Sequence, residues 1–154
     1  NVKMSNILSN FSERLSELMS EEELNPRSIG EDIGHNFYDF YHWKSEKIKY
    51  LPRLPVLIEI ADDFSCSLEF LLGMEEQNSL SCPAKILPPF SERFTWIMQK
   101  SGKKFSVLAK EAELSGTSVL YNWKNGVTKP NVYSLIAVAR ALDCSLDYLI
   151  GREI

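Results

Sequence analysis

The sequence predicts an all-α protein made of two tandem helix-turn-helix repeats, each of five short helices. Three observations predict it. Apolar residues recur at helical spacing, and no segment reads as a sustained strand. An ordered set of residues appears twice along the chain. Helix-capping and helix-stopping residues fall where five short helices would begin and end.

The repeat comes first, because a missed repeat misreads the whole fold. Phe11-Ser12-Glu13-Arg14 returns as Phe90-Ser91-Glu92-Arg93, and Met19 as Met98. Tyr41, Trp43 and Lys44 return as Tyr121, Trp123 and Lys124. Pro52, Leu57, Ile58 and Ala61 return as Pro130, Leu135, Ile136 and Ala139. Cys66-Ser67-Leu68, Leu71 and Gly73 return as Cys144-Ser145-Leu146, Leu149 and Gly151. The offset drifts from 79 to 80 to 78, which implies two short insertions or deletions. The expected organisation is an N-terminal extension over 1–10, a first repeat over 11–73, a linker over 74–89 and a second repeat over 90–154. The linker carries a polar run and the Pro88-Pro89 pair, which also suits entry to a helix.

In the second repeat, Phe90, Phe94, Ile97 and Met98 make one apolar helix face, broken by Ser101-Gly102-Lys103-Lys104. Ser106 is placed to cap a second helix, Val107 to Glu113, with Leu108, Ala109 and Ala112 inward. A turn at Leu114-Ser115-Gly116 leads to a third helix from about Thr117 to Lys124, with Leu120 and Trp123 buried. Asn125-Gly126 stops it. Asn131 caps a fourth helix, and Ser145 caps a fifth that ends at Gly151. A tight turn between the second and third of five helices is a helix-turn-helix layout.

Leu108-Ala109, Trp123-Lys124-Asn125-Gly126, Lys129-Pro130 and the closing run Leu142 to Gly151 resemble the Cro/C1-type (XRE, lambda-repressor-like) helix-turn-helix family. The resemblance covers Phe90 to Gly151; Phe11 to Gly73 resembles the same family more faintly, through Ile29-Gly30, Gly34, Trp43 and Ser67 to Gly73. It implies a sequence-specific transcriptional regulator of double-stranded DNA, often a homodimer. Two departures stand out in the second repeat: one extra residue between Ala109 and Trp123, and Glu113 where the family's turn has glycine.

The net charge of −4 hides a split. Residues 11–73 hold six basic and thirteen acidic residues, a charge of −7; residues 90–151 hold eight and five, a charge of +3. Phosphate neutralisation supplies much of the affinity of DNA binders. In a helix-turn-helix, Lys103, Lys104, Ser106, Lys110, Lys124 and Lys129 flank the second and third helices and are the expected phosphate contacts. Thr117, Ser118, Tyr121 and Asn122 are the expected base-facing positions. Asn can pair with adenine, Ser and Thr reach several base edges, and Tyr can donate to phosphate. Without the fold context these residues would read as an ordinary solvated surface.

The first repeat carries Phe37, Tyr38, Tyr41 and His42 at the corresponding positions, with Glu21 to Glu23, Glu31 and Asp32 nearby. Exposed aromatics are costly unless covered, so this face is expected to be a protein interface: to the second repeat, a second copy or a separate partner. Two alternatives stay open. The aromatics pack within the chain, or both repeats dock on DNA as a pseudo-dimer. For the whole protein, the alternative to a DNA-binding regulator is a protein-interaction module that binds no DNA.

Catalysis is not expected. His35 and His42 lack further zinc ligands at suitable spacing, and Asp62-Asp63 and Glu75-Glu76 point different ways. No cofactor motif is present. Cys66 and Cys144 read as buried structural thiols, and Cys82 lies in the linker. Three cysteines make no disulfide framework, so a cytoplasmic setting is expected. No stretch suits a membrane span or a secretion signal.

Overall fold

Ten helices and no strand form among the described residues, 6–80 and 82–153, of the computed structural model. Residues 1–5 of the expected N-terminal extension, and Ser81 of the expected linker, lie outside them. The chain divides into two units, Asn1–Pro83 and Ala84–Ile154. No helix of the described residues is long and apolar enough to cross a membrane.

Unit 1 holds α1 (Ile7–Glu21), α2 (Pro26–Ile33), α3 (Phe37–Trp43), α4 (Leu54–Asp63) and α5 (Leu68–Leu71). α1 begins four residues before Phe11, because Ile7 extends the buried stripe of Phe11, Leu15 and Met19. α2 starts at a capping box: the Asn25 side chain accepts from Ser28 N, and the Ser28 hydroxyl accepts from Asn25 N. Asn36 caps α3 by accepting from Tyr38 N, and Ser67 caps α5 by accepting from Phe70 N. Phe40, Trp43, Leu57, Ile60 and Leu68 join the α1 stripe in the core. Each such side chain contributes roughly 1.5–3 kcal/mol by leaving water.

Unit 2 holds α6 (Phe90–Ser101), α7 (Phe105–Glu111), α8 (Ser118–Lys124), α9 (Val132–Ala141) and α10 (Leu146–Ile150). Its core is built on Trp123, which meets Phe90 and Phe94 edge to face at 5.4 Å between centroids in each case. Asn131 and Ser145 cap α9 and α10 as their sequence positions suggest, accepting from Ser134 N and Tyr148 N. Asp147 and Arg152 form a buried ion pair behind α10.

One arrangement occurs in both units. The Arg93 guanidinium donates to the Tyr148 carbonyl at 2.9 and 2.7 Å and to the Glu153 carbonyl at 3.2 Å. The Arg14 guanidinium donates to the Phe70 carbonyl at 2.5 Å and the Glu75 carbonyl at 3.1 Å. Each arginine also lies over the ring of the residue whose carbonyl it holds, Tyr148 or Phe70. The orphan carbonyls at a helix C-terminus suit a cation. The clamp ties the first helix of each unit to its last.

The stretch 74–89 is fastened at both ends. The Asn78 side chain accepts from Ser67 N and donates to the Ser65 carbonyl in unit 1. Ala84 N donates to the Arg152 carbonyl in unit 2 at 2.9 Å.

Candidate nucleic-acid interface

The second helix of unit 2 starts two residues earlier than its sequence suggests. Lys104 occupies the N-cap, with no side-chain cap bond, and Ser106 stands exposed inside the helix instead of capping it. Phe105 decides this start. Its ring lies 5.8 Å from Phe94 and 4.7 Å from Tyr121, so it must enter the first helical turn to reach them.

α7 ends at Glu111, and six residues, 112–117, carry the chain to α8. The corresponding turn of unit 1 needs only three, 34–36. That turn is tight because Gly30 has no side chain: a Cβ there would lie 2.9 Å from the His35 carbonyl oxygen and 3.0 Å from Phe37. In unit 2 the departure from helix is made at Glu113, whose φ of +56° is left-handed, the region glycine favours. Gly34 makes the same departure in unit 1, at φ +75°. The longer turn starts α8 at Ser118, with Thr117 at the N-cap.

Of the expected base-facing residues, Ser118 and Tyr121 stand exposed, Tyr121 at 49%. Thr117 and Asn122 are half-buried. Leu120 and Trp123 hold the opposite face of α8 in the core. Val127 N donates to the Asn122 carbonyl at 2.9 Å, which folds the following loop back on α8. The Tyr121 ring meets Phe105 edge-on.

The expected phosphate contacts separate into two groups. Lys104, Lys110, Lys124, Lys129 and Ser106 are all exposed on α7, on α8 or in the loop that follows it. Lys103 is committed inside the unit. Its ammonium donates to both Glu111 carboxylate oxygens at 3.0 and 3.2 Å and to the Ala141 carbonyl at 2.8 Å. That lysine joins α7 to the end of α9. A lysine's sequence neighbours do not reveal such an engagement, because its partners lie 8 and 38 residues away.

In unit 1, Tyr38 and Tyr41 are 68% and 55% exposed, while Phe37 and His42 are half-buried. Phe37 lies under Tyr38, with the Arg27 guanidinium 4.5 Å over its ring. His42 packs on Tyr50, and its Nε2 accepts from Lys49 N at 2.9 Å. Sequence reasoning missed Tyr50, which is 54% exposed. His35 is tied to Asp39 at 2.8 Å and stacked on Trp43. Asp32, Ile33, Glu59, Asp62 and Asp63 line an acidic cleft. Burial, and the nearby Asp32 and Glu22 carboxylates, push the Asp63 carboxyl up. Cys66 is buried, Cys144 is only half-buried and Cys82 is exposed.

A family model described as helix-turn-helix, of the Cro/C1 type, matches residues 101–149. The match runs from the end of α6 into α10, so it takes in α7, the turn and α8. Unit 2 thus contains a helix-turn-helix of the class found in DNA-binding regulators. No curated protein and no solved structure matches the chain.

Proposed function

We propose that the protein is a sequence-specific DNA-binding transcriptional regulator that reads double-stranded DNA with unit 2. The observation that carries this reading is the helix-turn-helix match over α7 and α8. Their exposed surfaces carry hydrogen-bonding groups and lysines. In this reading α8 enters the major groove with Thr117, Ser118, Tyr121 and Asn122 toward the bases. Lys104, Ser106, Lys110, Lys124 and Lys129 hold phosphates, and Lys103 keeps α7 in place. A reading helix of seven residues gives modest affinity alone. Two copies on a roughly palindromic site supply the rest, so the active species is a homodimer.

Unit 1 is read as an interaction unit descended from the same ancestor by duplication, and the shared arginine clamp supports that descent. Its interaction surface is the α3 face bearing Phe37, Tyr38, Tyr41 and His42.

The test is fluorescence anisotropy of the full chain with pooled genomic duplexes across a salt series. Binding that weakens steeply with salt, and falls in Asn122→Ala and Lys124→Ala, supports the reading. A folded chain that binds no duplex at low salt rejects it. The six-residue turn, with Val107 and Val127 exposed at 46% and 69%, favours a second reading in which unit 2 docks a protein and no DNA. That second reading predicts the rejecting result.

A further inference from the structure

Two exposed tyrosines of unit 1 each lie close against an inner aromatic ring. Phe37 and Tyr38 lie 4.3 Å apart between centroids, with 30° between their planes. His42 and Tyr50 lie 4.2 Å apart, with 32° between theirs. In each pair the inner ring is half-buried and the outer tyrosine exposed. The inner rings are fixed: Phe37 by the Arg27 guanidinium, and His42 by the N–H of Lys49. Tyr41 adds a third exposed ring on the same helix.

Cations lie on the same segments as these rings. Lys44, Lys47 and Lys49 are exposed on the segment that carries Tyr50, and the Lys49 to His42 bond folds that segment onto α3. With Arg27 they make four positive charges, against Glu46 on the same segment, Asp39 on α3 and Glu31 on α2. Four further acidic residues of unit 1, Asp32, Glu59, Asp62 and Asp63, line a cleft. The net charge of −7 over residues 11–73 therefore includes a local surface where exposed tyrosines and cations lie together.

We propose that this face binds single-stranded nucleic acid. Tyr38, Tyr41 and Tyr50 stack unpaired bases, and Arg27, Lys44, Lys47 and Lys49 neutralise the backbone. Flat rings with one covered and one open side continue a stack, and every base offers a π-face. In a duplex those faces are covered by neighbouring base pairs, so the open tyrosines suit an unpaired strand. A protein partner would also use tyrosine, but lysine is depleted in protein interfaces and frequent around nucleic acid. The proposal rests on reading the α3 face as the interaction surface of unit 1, and is independent of duplex reading by unit 2.

The experiment uses the full chain and a fluorescein-labelled oligothymidylate of about 12 nucleotides, a length within the usual site size of single-strand binders. Anisotropy is read at low salt with excess unlabelled duplex present to occupy unit 2. Binding is expected to persist under the duplex, and to weaken roughly tenfold in Tyr38→Ala and in Tyr50→Ala. Tyr38→Phe and Tyr50→Phe are expected to keep it, because stacking needs the ring and not the hydroxyl. Asn122→Ala and Lys124→Ala in unit 2 are expected to leave it unchanged. A folded chain that ignores the single strand overturns the proposal, as does binding that the tyrosine variants do not alter or that duplex displaces. No strand binding, with sedimentation velocity showing an oligomer lost in Tyr38→Ala, overturns it in favour of a protein interface. Loss of duplex binding alone, with the single strand still held, tells against unit 2 as the reader and leaves this proposal standing.

Discussion

Glu113 sits at φ +56° without being glycine, and this single backbone angle bears on the stability of unit 2. A left-handed residue with a Cβ costs roughly 1–2 kcal/mol, partly offset because glycine has more freedom to lose on folding. Glu113→Gly is expected to stabilise the protein by about 0.5–1 kcal/mol, read as a higher urea midpoint at unchanged slope. An unchanged or lower midpoint would show that the Glu113 side chain stabilises the turn by more than the backbone strain costs. Asp63 offers a pH-dependent counterpart in unit 1. Its folded carboxyl is pushed up by burial and by Asp32 and Glu22, so the folded state binds its proton more readily than the unfolded state does. The charged form therefore opposes folding at neutral pH, and that opposition is lost as pH falls through the raised value. Asp63→Asn is expected to raise the melting temperature at pH 7 and to lose this advantage in acid. An advantage that persists in acid would assign the gain to something other than this titration.

At the scale of elements, the two arginine clamps make a matched pair of tests. Hydrogen bonds to a charged group contribute about 1.5–3 kcal/mol, and each arginine also covers an aromatic ring. Arg93→Ala and Arg14→Ala are each expected to cost about 2 kcal/mol in chemical denaturation, with Lys recovering little because it lacks the planar fork. A cost near zero for either would show that its clamp holds nothing. Recurrence made both arginines visible in the sequence, yet not their role: the carbonyls they hold lie 55 to 61 residues away. Local signals were legible. Asn131, Ser145 and Asn125-Gly126 mark helix ends through bonds and angles of their immediate neighbours, and they fall where sequence placed them. The start of α7 was not legible, because Ser106 is a good cap by type while Phe105 is claimed by Phe94 and Tyr121 from other helices. Lys103 shows the same limit at the candidate site. Its type suggests phosphate, and the fold spends it on Glu111 and the Ala141 carbonyl.

Over the whole molecule, charge decides what a measurement of DNA binding should look like. A chain of net charge −4 is a poor general polyanion binder, so any affinity must come from local surfaces. Unit 2 presents Lys104, Lys110, Lys124 and Lys129 to solvent. If each neutralises one phosphate, counterion release gives a slope of log K against log salt of roughly −3 to −4 per copy. A homodimer on a palindromic duplex doubles it, to roughly −7. Had Lys103 been free, the slopes would be correspondingly steeper, so the measurement also checks its engagement with Glu111. Lys124→Ala is expected to lower the slope by about one per copy while weakening all sequences alike. Asn122→Ala, if it faces a base, is expected to leave the slope unchanged and to relax preference at one position of the site. A slope near zero would mean that the lysines of α7 and α8 meet no phosphate, and would move unit 2 to the protein-docking reading. A slope near −7 that the Lys124 variant reduces by two would fix both the reading surface and the number of copies on the duplex.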